Sequence, residues 1–435
     1  MSGDDAEDSV DGGGDSGGRF GRTLGRLVDA SAVERILISL AALVLSVVVG
    51  TLVILVSGLV LSPCPSTPFA SIPGVGAFCY DPIEVYRVLV VGAFGSTYNL
   101  GITLKETTLL VFTGLSVAVA FRAGLFNIGT QGQLVLGALG TGLGVVWAAP
   151  FVPAGLVGGV VLAAFGLLAG ALVGGVWGAI PGALKAYADA NEVITTIMLN
   201  FVATGLALTL VSEVFKDPET QNIQTRAVPE HAEFPPSLLG VQDFSIFVLI
   251  GGIALAVGVY WMLRGTTFGY DLRTSGEQPD AAEYGGVDAK RMTVTSMALS
   301  GAIAGIGGAV YVLMVAGYWQ EGIPSLGFDG ITVSILAGNN PIGVLPASLL
   351  FGALKGGSLA IEFELAVPQE LVGILRGLVI LFVAMPEFFR MIGIRYDYGD
   401  DATVAADGAG PEDPGTDRDS GPTDASDDDE GGEDR

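Results

Sequence analysis

The sequence predicts an all-α polytopic membrane protein of about ten transmembrane helices, some discontinuous, with both termini cytoplasmic and disordered acidic tails. Three observations predict it. Half of the 435 residues are hydrophobic and only 15% are charged, with a mean hydropathy of +0.60. The net charge of −25 is concentrated at the ends: residues 1–35 hold eight of the 45 acids and residues 397–435 hold fifteen. Between the tails, apolar runs of span length alternate with short charged connections and show no period-two alternation, which excludes a β-barrel. Apolarity on this scale excludes a soluble enzyme, a nucleic-acid binder and a secreted disulfide scaffold.

The first 35 residues are Gly, Ser and acid with little to bury, so they read as a disordered tail; residues 397–435 read the same way. Residues 36–396 form the membrane domain. Its first apolar run, Ile36–Leu61, is too long for a cleaved signal segment. Further spans are expected at Thr107–Phe121, Leu134–Trp147, Ala154–Ile180, Val193–Val214 and Phe244–Leu263. After a polar stretch come Met292–Ala316, Gly330–Ala337, Ile342–Ala360 and Leu371–Phe389. With the N-terminus inside, twelve Lys or Arg fall in inner segments and four in outer ones, which favours N-in and C-in. Lys355 and Arg376 read as span-end residues that snorkel.

This orientation places Leu61–Lys105 and Lys216–Asp243 outside. Both cysteines, Cys64 and Cys79, lie in the first outer segment. They are either a disulfide pinning that loop or two independent small apolar residues. The one histidine, His231, reads as a solvated loop residue; a lone histidine builds no metal site, and no metal or cofactor is expected. The run Gly352–Ser358 lacks the spacing of a phosphate loop and reads as small residues for helix packing.

Four polar segments interrupt the apolar runs. Asn127, Gln131 and Gln133 stand among glycines at 124, 129, 132 and 137, either as a broken helix lining a path or as a turn between spans. Asn191 suits an N-cap, Glu192 suits the first turn after it, and Asn200 shares a helical face with Thr196. Asn339 and Asn340 split a short span from a full one, as discontinuous helices do in transporters. In the inner segment 264–291, Pro279 and Asp280 suit a helix start and Gly285 or Gly286 its stop, giving a helix of about two turns around Ala281 and Ala282. It is either a solvent-facing connector or a small-residue surface for a partner's groove.

Together these segments resemble the membrane subunits of ATP-binding-cassette importers in the branched-chain amino acid, simple sugar and nucleoside permease family. FNIGTQGQLVLGALG (126–140) resembles the family's Asn-Ile-Gly-x-Glu-Gly-Gln signature, and NEVITTIMLNFVA (191–203) its Asn-Glu-Val-Ile stretch. GEQPDAAEYGGVDAKR (276–291) is similar to its coupling segment, and GFDGITVSILAGNNPIG (327–343) to its late broken helix. The first two are most similar to the nucleoside, basic-membrane-lipoprotein-dependent branch. The resemblance spans roughly Thr107 to Phe389 and departs at Gln131, where the family usually has Glu.

The resemblance implies a second permease subunit, different from this one, two cytoplasmic ATPases, and an external lipid-anchored solute-binding protein. It implies a multi-pass protein of the cell membrane, without catalysis of its own, that carries a small neutral solute such as a nucleoside or simple sugar. It makes Gln278, Pro279, Asp280, Ala281, Ala282, Glu283 and Gly285 the ATPase-coupling residues. Asn127, Gln131, Gln133, Asn200, Asn339 and Asn340 become the substrate path. The alternative is an ion-coupled secondary transporter, which needs a titratable group deep in the membrane; Glu106, Glu192, Asp329 and Glu387 all read as terminal. The acidic surface, with five lysines among the 20 basic residues, resembles proteins of salt-loving archaea.

Overall fold

The computed structural model describes residues 32–365 except 61–63, 65–67 and 238, together with a few positions between 367 and 381. The tails, apart from the helical 32–35, and most of the expected last span lie outside the described residues.

Helix α1 (Ala32–Val60) matches the first expected span. Sequence reading placed one long outer connection after it. That connection is instead structured: a hairpin of β1 (Ala70–Ile72) and β2 (Gly76–Phe78), then helix α2 (Pro82–Phe94). Asp81 accepts a hydrogen bond from the Ile83 N–H and Pro82 opens the helix, both favourable start signals. The charged pair Glu84–Arg87, one turn apart on α2, makes this apolar stretch look like a loop in one dimension. Cys64 and Cys79 are joined in a disulfide with Cα atoms 5.2 Å apart, tying the end of α1 to the hairpin.

Helix α3 (Thr97–Arg122) starts ten residues before the expected Thr107, because Lys105 and Glu106 interrupt the hydropathy but not the helix. After it run α4 (Thr130–Ala148), α5 (Leu156–Ala188), α6 (Glu192–Leu210) and α7 (Ile246–Gly265). Two short helices, α8 (Thr267–Glu277) and α9 (Pro279–Tyr284), precede α10 (Ala289–Val310), α11 (Leu326–Leu336) and α12 (Val344–Leu365). Single π-helical turns extend α6 to Phe215 and α10 to Ala316. Among the described residues, seven helices are long and apolar enough to cross a membrane: α3 to α7, α10 and α12.

Burial separates inner from outer helices. The apolar windows of α3 and α10 are 78% and 72% buried, whereas those of α5, α6 and α7 are only 22–28% buried. Leu168 and Leu172 on α5, Phe201 on α6 and Phe247 and Trp261 on α7 are exposed, as a lipid-facing surface requires. Helix α10 packs on α5, α4 and α3, and α3 packs on α11 and α12. Glycines set the closest of these approaches: a Cβ on Gly305 of α10 would collide with the Gly170 carbonyl of α5.

Candidate functional site

Between α3 and α4 the chain does not stay at the helix ends. Residues 123–129 turn back into the bundle and carry Asn127 to Ser300 of α10, about 16 Å beyond that helix's start. The Asn127 Nδ2 donates to Ser300 Oγ at 2.7 Å and to Gln133 Oε1 at 2.9 Å. Gln133 Nε2 donates back to Asn127 Oδ1 at 3.1 Å, and the Gly129 N–H donates to the same oxygen at 3.0 Å. Ser116 of α3 and Ser300 each donate their hydroxyl to the other's carbonyl, at 2.8 and 2.7 Å. All four side chains are buried, so each amide left without its partner would cost about 1–3 kcal/mol.

Asn200 closes the same loop from α6. Its Oδ1 accepts from the Gly132 N–H at 2.8 Å and its Nδ2 donates to the Ile128 carbonyl at 2.9 Å. Thr196, Asn200, Ala203 and Ala207 form the buried face of α6. Asn191 caps α6 by accepting from the N–H groups of Val193 and Ile194. Gln131 turns the other way: its Nε2 donates to the Pro324 carbonyl at 3.0 Å and its Oε1 accepts from the Gly327 N–H at 2.8 Å. The amide at 131 therefore uses its donor and its acceptor at once to seat the start of α11. An ionised carboxylate could only accept.

The structure does not bring Asn339 and Asn340 to this cluster. They lie in the α11–α12 turn, where Arg122 Nε donates to the Asn339 carbonyl at 2.8 Å. Asn339 is left-handed (φ 55°) and its Oδ1 accepts from Ser334, while Asn340 accepts from the Ile342 N–H. His231 is half-buried and not fully solvated: its Nε2 is buried, and its carbonyl packs on Gly159 of α5.

Sequence reading missed a charged cluster. Lys355 Nζ lies 3.3 Å from Glu106 Oε2 and 3.1 Å from Asp329 Oδ2, and Lys105 Nζ lies 3.7 Å from Glu106 Oε1. Glu106 is about 13 Å along α3, and Lys355 about 16 Å along α12, near its midpoint. Neither is terminal, and Lys355 does not snorkel to an end. The signal available in one dimension was charge on each of three helices, α3, α11 and α12, inside apolar sequence; its pairing needed the fold.

At the far end of the same helices, α9 is exposed. Tyr284 is 95% exposed and Gln278, Pro279, Asp280, Ala281, Glu283 and Gly285 are open, but Ala282 is only 1% exposed and packs inward. The expected pair of surface alanines is therefore one. Gly286 (φ 86°) ends the helix, with the Val287 N–H bonded to the Ala282 carbonyl and the Gly286 N–H to that of Glu283. Just before α9, Gly276 packs backbone to backbone on Ala123 and Gly124; a Cβ on either glycine would strike the other segment. A cleft of about 620 Å³ at the opposite end, lined by Trp147, Phe151, Phe215, Lys216 and Arg226 among others, contains none of the residues singled out above.

Residues 99–384, well over half of the chain, match the family of branched-chain amino acid transport system permease components. The chain belongs to this permease family. It is 34% identical to the guanosine ABC transporter permease protein NupP of Bacillus subtilis, over 83% of this chain and 96% of that protein. It is 32% identical to the glucose ABC transporter permease protein TsgB13 of Haloferax volcanii, over 75% and 88% of the two chains. A second B. subtilis protein, the guanosine ABC transporter permease protein NupQ, is 28% identical over 58% of this chain and 78% of its own. This chain is thus a membrane permease subunit and not an enzyme, with ATP hydrolysis on a separate subunit. In the permease, the Asn127 loop between α3 and α4 is tied to α10 and α6, and Gly124 joins that loop to α8, which leads into the exposed α9.

Proposed function

We propose that this permease pairs with a second, different permease chain and two cytoplasmic ATPases to import a nucleoside or simple sugar. An external lipid-anchored protein delivers the solute. The observation that carries the mechanism is the backbone contact of Gly276 with Ala123 and Gly124, three residues before Asn127. ATP-driven closure of the ATPases on α9 displaces α8 and, through that contact, the Asn127 loop. The bundle then shifts between inward-open and outward-open packings. Guanosine and glucose, the solutes in the names of the relatives, share a polyhydroxylated ring and no charge. B. subtilis holds two guanosine permease proteins similar to this chain, which supports a heterodimer.

The reading further takes α9 and both termini as cytoplasmic, the Cys64–Cys79 loop as external, ten spans in all, and a haloarchaeal cell membrane as the location. Ion coupling asked for deep titratable groups. Glu106 lies well inside α3 and Asp329 in the first turn of α11, both are held in ion pairs with Lys355, and family membership favours ATP. Purification from membranes in high salt tests the assembly. An ATPase bearing a phosphate loop should co-purify; its absence from an otherwise intact preparation overturns the proposal.

A further inference from the structure

We propose that Glu106, Asp329 and Lys355 form a hydroxyl-binding site in the translocation path, taking the vicinal hydroxyls of a sugar or ribose ring. The inference rests on the solute class proposed above. Three observations carry it. The cluster is built from three helices, α3, α11 and α12, and with Lys105 it has two positive and two negative charges, so it imposes no net charge on a neutral solute. Glu106 and Lys355 lie well inside their helices and Asp329 in the first turn of α11, yet the four side chains keep 16–21% of their surface open. Open charge on helices of a membrane bundle cannot face hydrocarbon and needs water, protein or solute against it.

Among the described residues its hydrogen-bonding capacity is also unfilled. A carboxylate offers about four acceptor positions and an ammonium three donors. Asp329 meets one lysine, and Glu106 meets two at 3.3 and 3.7 Å. The free positions are acceptors from two carboxylates bridged by one cation, which match a pair of adjacent hydroxyl donors. Neighbouring geometry supports a path here: Gln131 seats the Pro324–Gly327 turn just before Asp329, so the site adjoins the Asn127 network.

The test uses the complete complex in liposomes, loaded with ATP, and compares Asp329→Asn and Glu106→Gln with the wild type. The probes are guanosine against 2′,3′-dideoxyguanosine, and glucose against 2-deoxyglucose. Each variant should raise the concentration for half-maximal uptake of the hydroxyl-bearing solute about tenfold, and that of its deoxy analogue by less than about twofold. Glu106→Gln stands independently should Asp329→Asn fail to fold. Equal loss for both members of a pair, or no change in either, makes the cluster a helix tie and overturns the inference. A wild-type complex that takes up neither guanosine nor glucose overturns the solute class and the inference with it.

Discussion

Asn200 answers two unpaired backbone groups at once, the Gly132 N–H and the Ile128 carbonyl. Replacing it with Ala orphans both in a buried site, and the expected loss is about 1–3 kcal/mol, read as a lower midpoint of thermal unfolding in detergent. An unchanged midpoint would mean that water satisfies the loop. Gln131→Glu tests the departure from the family's usual residue. The carboxylate cannot donate to the Pro324 carbonyl, so the variant should be less stable than the parent even though it restores that residue. At this scale the sequence was readable where a polar residue satisfies its own neighbourhood. Asn191 as a cap follows from its position alone. The Glu106–Lys355 pair did not, because hydropathy reads each charge as a boundary and has no means to pair two distant helices.

Helix α9 presents Tyr284 and Ala281 outward and Ala282 inward. Two substitutions should therefore fail differently. Tyr284→Ala should leave the permease folded and weaken its retention of the ATPase, measured by co-purification. Ala282→Leu should lower the folded yield itself, since the added volume has no space between α9 and the bundle. Loss of yield from Tyr284→Ala would contradict the assignment of that face. Gly276→Val should keep the ATPase bound but cut solute uptake, because it disrupts the contact with Ala123 and Gly124 and not the α9 surface. The long helices were legible as apolar runs of span length. Helix α2 was not, since a 13-residue segment with a charged pair falls below any span threshold.

For the whole molecule, orientation rests on the distribution of Lys and Arg and on the disulfide at the end away from α9. After mild reduction, a membrane-impermeant maleimide added to intact cells should label Cys64, the less buried of the pair. Labelling only after permeabilisation would invert the topology. The bundle's permease character was readable because four polar motifs survive as local patterns. The route from α9 to Asn127 was not, because it runs through glycine backbones whose contact carries no side-chain signature. The central claim is that ATP turnover on a partner drives solute through this chain. Its most direct measurement is uptake of labelled guanosine and glucose by the reconstituted complex, with ATP present or absent and with ion gradients collapsed. Uptake of one of them should require ATP and be indifferent to the gradients. Uptake that persists without ATP and stops when a gradient is removed would contradict it.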